Sequence, residues 1–227
     1  MHLYYIRHGD PDYVNNCLTE LGRKEAELTS QELEKIPFDY IFSSSSNRAE
    51  ETASYLAKKI NKEIISYDWA KEETVFSELS FFDEEVGHQN WIFHSKRLLR
   101  RMHELENNPN WYDDKVFLPT VKTGIERVKT AIDEWLYKTL GIQHDFQKNK
   151  YISGNRKDLE VAFFAHGGFG TIFTSHILGI AYPSFVNRFH EHQTCGVTHI
   201  YIDESGENPP QLISYDVKYN KVIKENN

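Results

Sequence analysis

Cysteine is scarce in this chain: Cys17 and Cys195 are the only two among 227 residues, which makes neither a disulfide framework nor a metal knuckle and points to a reducing compartment. Positive charge is in deficit too. Twenty-six Lys and Arg stand against 34 Asp and Glu, giving a net charge of -8 and a pI near 5.8. Such a surface repels nucleic acid and acidic membranes unless it carries a basic patch, so neither is expected as a partner and an anionic ligand must be gathered by local arginines. No apolar run reaches the length of a membrane span. The first one, Leu3 to Ile6, meets Arg7 and His8 too early to leave room for a signal-peptide core, and a cytoplasmic protein is expected. Internal repeats are absent. Disorder is disfavoured by a hydrophobic share of 39% with 14% aromatics, and the length fits one domain over 1–227 with an inserted subdomain.

What is present is an alternation of short apolar runs and amphipathic stretches. Leu3-Tyr4-Tyr5-Ile6 reads as a buried parallel strand ending at Arg7-His8-Gly9. Thr19 can cap a helix over about 20–36, with Gly22 weakening its start. Tyr40-Ile41-Phe42 reads as a second strand that stops in the serine run 43–46. Ala49, Ala53, Leu56 and Ile60 then repeat at helical spacing, with Asn47 as N-cap and Glu50 as its capping-box partner. Positions 63–66 and 161–165 read as further strands, the latter running into His166-Gly167-Gly168 and a helix to Gly179. Segments 196–202 and 211–215 read as two more strands, joined by the turn Gly206-Glu207-Asn208-Pro209-Pro210. Strands alternating with helices imply a three-layer α/β/α sandwich around a mostly parallel sheet.

Positions 70–160 differ in character, and an inserted helical cap is placed there. Trp91, Leu98, Met102 and Leu105 fit one helix face, with Lys96, Arg97, Arg100 and Arg101 on the other. Val121, Ile125, Val128, Ile132 and Trp135 fit a second helix, and the polar stretch 143–158 reads as a loop. A lid that selects the leaving group through Trp91, Arg97, Arg100 and Arg101 is expected, against the plainer reading of that cluster as a solvated helix face.

Three features share a placement at strand ends: Arg7-His8-Gly9, Arg48 in the first helical turn after the second strand, and His166-Gly167. In an open α/β sheet such ends form the ligand crevice. Two arginines offer forked donors to a phosphate, and helix N-termini add N–H groups and a favourable dipole. A neutral imidazole in that cradle can attack phosphorus in line, and a second one can stabilise charge in the transition state.

At these residues the chain resembles the histidine phosphatase superfamily, whose members include the cofactor-dependent phosphoglycerate mutases. Leu3-Tyr4-Tyr5-Ile6-Arg7-His8-Gly9 is similar to its opening signature, and Leu18-Thr19-Glu20-Leu21-Gly22 to its Leu-Thr-x-x-Gly. Ser43-Ser44-Ser45-Ser46-Asn47-Arg48-Ala49 is similar to its Ser-Ser-Pro-x-x-Arg-Ala, and Ala165-His166-Gly167-Gly168 to its second-histidine segment. The resemblance implies phosphomonoester hydrolysis through a phosphohistidine on His8. It makes Arg7, Arg48, His166 and Gly167 the phosphate site and His166 the second pocket histidine, with no metal and no cofactor. Trp69-Ala70-Lys71-Glu72 resembles the segment carrying the general acid, which selects Glu72 and leaves Glu73 and Glu78 as alternatives. Ser45 replaces the usual proline. Val14 stands where many members have asparagine, and Asp10-Pro11-Asp12 replaces Glu-Ser.

The expected substrate is a small phosphorylated molecule whose identity, like the oligomeric state, the sequence leaves open. Three other readings stand beside this one: a phosphomutase of the same superfamily, a metal-dependent hydrolase using His166 with His190 and His192, and a phosphate-binding protein without turnover.

Overall fold

The structure is a computed structural model that describes residues 1–92, 94, 98, 100–106, 108, 110–115, 117–155 and 157–219. In chain order the elements are β1 (His2–Arg7), α1 (Glu20–Leu33), β2 (Tyr40–Ser44), α2 (Asn47–Ile60), β3 (Ile64–Tyr67) and α3 (Glu72–Leu79). A hairpin of β4 (Ser80–Asp83) and β5 (His88–Trp91) follows, then α4 (Met102–Glu106), α5 (Pro119–Trp135) and a second hairpin of β6 (Ile142–Asp145) and β7 (Lys150–Ser153). The chain continues with β8 (Glu160–Ala165), α6 (Gly167–Leu178), α7 (Tyr182–Arg188), β9 (Val197–Tyr201) and β10 (Gln211–Val217).

Six strands form the central sheet in the order β10-β9-β1-β8-β2-β3. Strands β1, β8, β2 and β3 pair in parallel, and β9 runs antiparallel to both β1 and β10. Side chains alternate across the sheet as the pleat requires. Leu3, Tyr5, Val161, Phe163 and Ala165 join the core beneath α5 and α6. Ile6, Ala162 and Phe164 face Leu33 of α1 and Ala53, Leu56 and Ala57 of α2. Both faces are therefore covered, and the parallel strands read as nearly continuous apolar runs for that reason.

Helix α5 belongs to the layer on the sheet. Its Trp135 meets Phe42 and Phe163 edge to face at 5.3 and 5.1 Å, the favoured geometry for aromatic pairs. The segment 70–160 thus carries one helix of the main core together with α3, α4 and two hairpins.

Several expectations need correction. Helix α1 ends at Leu33. Gly22 serves the fold rather than weakening it, because a Cβ there would meet the Asp10 carbonyl at 2.2 Å, so glycine is what lets α1 lie against the loop after His8. The N-cap of α2 is Ser46, and its side chain makes no capping bond. Glu50 accepts a hydrogen bond from Ser66 instead of closing a capping box. Stretch 143–158 is mostly the β6–β7 hairpin, since Ile142 and Tyr151 bury completely and anchor two otherwise polar strands. Trp91 lies on β5, not on a helix, although Leu98, Met102 and Leu105 are buried as the periodicity requires. Lys96 and Arg97 lie outside the described residues.

Candidate active site

The carboxyl ends of β1, β8 and β2 lie side by side, because β1 pairs with β8 and β8 with β2. Each strand carries its apolar run into a polar loop at that edge. Arg7 and His8 leave β1, His166 leaves β8, and the β2 loop leads to Arg48 in the first turn of α2.

His8 is fully buried, with its backbone N–H donating to the Ala165 carbonyl at 2.9 Å. Its ring Nδ1 lies 2.7 Å from the Gly9 carbonyl oxygen. A carbonyl only accepts, so Nδ1 carries the proton and the lone pair sits on Nε2. Arg48 Nε approaches that nitrogen at 3.3 Å. Burial, with the charges of Arg7 and Arg48, lowers the His8 pKa to about 3, which keeps the ring neutral at ordinary pH.

His166 is also fully buried. Its backbone N–H donates to the Tyr5 hydroxyl at 3.0 Å, and its ring Nε2 lies 2.9 Å from Ser44 Oγ. Among the described residues ring Nδ1 is buried without a hydrogen-bond partner, as is Arg7 Nε. Unsatisfied buried polar groups are costly in a native fold, and a catalytic role is one of the reasons such a group is retained. The centroids of the His8 and His166 rings are 5.1 Å apart.

Arg48 is held from several sides. Its Nη1 donates to Asn16 Oδ1 and to Glu73 Oε1, both at 2.8 Å, and its guanidinium lies over the Tyr13 ring at 5.5 Å. Arg7 donates to the His192 carbonyl and pairs with Glu191 at 3.3 Å. Gly167 opens α6 between these groups, where a Cβ would meet Glu191 Oε1 at 1.8 Å and Arg7 Nη1 at 2.8 Å. A side chain at 167 would therefore displace the Glu191 and Arg7 head groups rather than the backbone.

Glu72 and Glu73 open α3 and behave differently. Glu72 Oε1 accepts from the Gly168 N–H at 3.0 Å, and its Oε2 lies 3.7 Å from His166 Nδ1 and 3.5 Å from Arg48 Nη2. Burial raises its pKa against the opposing pull of Arg7 and Arg48. Glu73 is 57% exposed at the side chain. Burial pushes its pKa up, but the hydrogen bond and charge of Arg48 outweigh this and the net shift is downward. Glu78 pairs with Arg127 of α5 at 2.7 Å, away from this cluster.

The structure thus brings Arg7, His8, Arg48, Glu72, His166 and Gly167 together. It does not assemble the metal set of His166, His190 and His192. His190 lies 3.6 Å from Asp216, and His192 is buried with neither ring nitrogen hydrogen-bonded among the described residues. His8, Glu72 and His166 do place ligand atoms close together, but two guanidinium groups beside them oppose a dication electrostatically. Arg100 pairs with Glu85, and Arg101 with Asp114 and Glu104. Trp91 lies against Gly168, and His94 pairs with Glu191 at 3.2 Å.

Sequence reasoning missed Asn16, Tyr13, Ser44, His94 and Glu191. Asn16 Oδ1 accepts a hydrogen bond from Arg48 Nη1 at 2.8 Å. It reaches Arg48 from a left-handed residue (φ +50°), a conformation that asparagine tolerates well. Ser45 lacks proline's fixed φ and is pinned by Asp68 at 2.5 Å. Each of these roles depends on loop paths that spacing does not encode.

The profile of the histidine phosphatase superfamily (branch 1) matches residues 3–212. The chain belongs to that superfamily. No curated protein sequence matches it. Solved structures similar to it include a mycobacterial glucosyl-3-phosphoglycerate phosphatase in complex with inorganic phosphate (TM-score 0.63, 16% identity, covering 96% of this chain and 98% of that one). A phosphoserine phosphatase from Entamoeba histolytica (0.59, 18%, 95% and 96%) and an alpha-ribazole phosphatase from Shigella flexneri (0.60, 19%, 96% and 97%) share the same fold.

Proposed function

We propose that this histidine phosphatase hydrolyses a small phosphomonoester in two steps, with His8 Nε2 as nucleophile and Glu72 as general acid. The observation that carries this reading is the Nδ1–Gly9 carbonyl contact of 2.7 Å, which leaves the lone pair of a neutral ring on Nε2, facing the Arg48 guanidinium at 3.3 Å. In the first step the phosphorus–oxygen ester bond breaks as a bond to Nε2 forms, and Glu72 gives its proton to the departing alkoxide. In the second step water attacks phosphorus, the phosphorus–nitrogen bond breaks, and the Glu72 carboxylate takes up the water's proton.

Arg7 and Arg48 hold the nonbridging oxygens, together with the N-terminus of α6 at Gly167. Ser44 can donate to His166 Nε2, which leaves an Nδ1–H free to meet the charge that builds on those oxygens. Glu72 is favoured over Glu73 because a general acid must hold its proton near neutral pH, and burial raises the first while Arg48 lowers the second. The segment 70–160 is read as an insertion in a single domain that brings Trp91 and His94 over the pocket. The free thiols Cys17 and Cys195 suit the cytoplasm.

A panel of phosphorylated metabolites, run before and after exhaustive EDTA dialysis, tests the reading. Turnover of at least one small phosphomonoester under both conditions is expected. Phosphate binding without turnover on any substrate contradicts it, and activity that is lost in EDTA and restored by zinc supports the metal-dependent rival.

A further inference from the structure

We infer that Asp133, His144 and His176 form a binding site for a divalent transition metal of the zinc class, apart from the phosphoryl-transfer pocket and independent of the function proposed for it. The three side chains come from α5, the β6–β7 hairpin and α6. Asp133 Oδ1 lies 2.9 Å from His144 Nδ1, and Oδ2 lies 2.9 Å from His176 Nε2. All three offer ligand atoms within 4.8 Å of one another. Their side chains are 16%, 4% and 7% exposed, and they line an open cleft of about 1270 Å³ with Phe146, Tyr137 and Asn149. His176 is nine residues along α6 from Gly167, roughly 14 Å at the helical rise.

Two observations point to a cation here. Imidazole nitrogens and one carboxylate suit a borderline metal, with bonds of about 2.0–2.2 Å. Ligand atoms around such an ion are roughly 3.2–3.5 Å apart, so the two 2.9 Å contacts to Asp133 need to open by a few tenths of an ångström within a group whose ligand atoms all lie within 4.8 Å of one another. The second is the far nitrogen of His144, Nε2, which lies 3.1 Å from Asn149 Oδ1. An amide oxygen accepts, so Nε2 carries a proton, and a neutral ring then presents its Nδ1 lone pair to a carboxylate. That contact repels unless a proton or a metal lies between them. A metal resolves it and leaves Nε2–H···O=C as the outer contact that orients a ligating histidine. Tyr151 stacks on the same ring at 4.3 Å and fixes its plane. No guanidinium or ammonium pairs with Asp133 among the described residues, whereas the His8 cluster is flanked by two arginines.

Isothermal titration of the chelator-dialysed full-length protein with zinc, followed by thermal unfolding, tests the assignment. One zinc per chain is expected in the wild type and in His8→Ala with His166→Ala. Asp133→Asn and His176→Gln are each expected to weaken binding about tenfold or more and to abolish the zinc-induced rise in Tm. No binding at micromolar zinc overturns the assignment and leaves a proton-bridged His-Asp-His cluster with the Asn149 amide turned over. Binding lost in the His8, His166 double variant but kept in Asp133→Asn also overturns it, by moving the ion to the catalytic pocket. Should either triad variant fail to fold, zinc X-ray absorption of the one-zinc His8→Ala, His166→Ala protein decides: two imidazole ligands are expected, and fewer than two contradict the site.

Discussion

The contrast between Glu72 and Glu73 shows how two adjacent carboxyls at the start of one helix acquire different chemistry. Glu72 turns inward to the Gly168 N–H, and Glu73 turns out to Ser46 and Arg48. If Glu72 supplies the proton, Glu72→Gln should slow an alkyl phosphate by about 10²-fold or more, yet largely spare p-nitrophenyl phosphate, whose leaving group departs as a stable anion. Equal effects on both substrates, or selective loss in Glu73→Gln instead, reject the assignment. The pH profile carries a second sign. An acid must be protonated to act, so kcat/KM with the alkyl phosphate should fall as pH rises through the raised Glu72 pKa, and Glu72→Gln should remove that limb. A variant that keeps the limb points to another group. At this scale the sequence displayed the residues abutting strand ends, because a strand end is a local signal. It hid Asn16 and Glu191, which reach Arg48 and Arg7 only once separate loops are folded.

Legibility at the scale of elements followed the strength of periodic burial. Strand β8 was plain because residues 161–165 form one continuous buried apolar run, and helix α5 because its buried side chains recur at helical spacing. The β6–β7 hairpin was hidden because only Ile142 and Tyr151 bury fully, while Gln143, Asp145 and Lys150 make the stretch look like a loop. Capping was misread at α2 because Ser46 and Asn47 are both good N-caps by type and differ only in backbone conformation. Gly22 provides a test at this scale. In an ordinary helix Gly→Ala stabilises by about 1 kcal/mol, but the Asp10 carbonyl leaves no room for a Cβ. Gly22→Ala should therefore lower the urea midpoint. It should also reduce kcat, because Asp10 directly follows the His8-Gly9 turn. A stabilised, fully active variant contradicts the close-packing account.

The whole molecule buries neutral histidines at some cost in acid. Burial, helped by Arg7, lowers His8 and His192 to about 3, and His166 is lowered as well. In the unfolded chain these rings take up protons near pH 6.5, so below that value the unfolded state binds more protons than the folded one. Stability should be intact above about pH 6.5 and fall as pH drops toward 3, by on the order of 1 kcal/mol per pH unit for each such histidine. His192 packs between Tyr5 and Tyr215 without a ring hydrogen bond among the described residues, so His192→Phe should flatten urea midpoints measured between pH 7 and 5. A variant curve parallel to the wild type contradicts the linkage.

The account as a whole rests on His8 as the atom that receives the phosphoryl group. Rapid quenching of the enzyme into alkali during turnover of a radiolabelled phosphomonoester tests this directly. An acid-labile, alkali-stable phosphoenzyme is predicted in the wild type and none in His8→Ala; an acid-stable label, or a label that persists in His8→Ala, would contradict it.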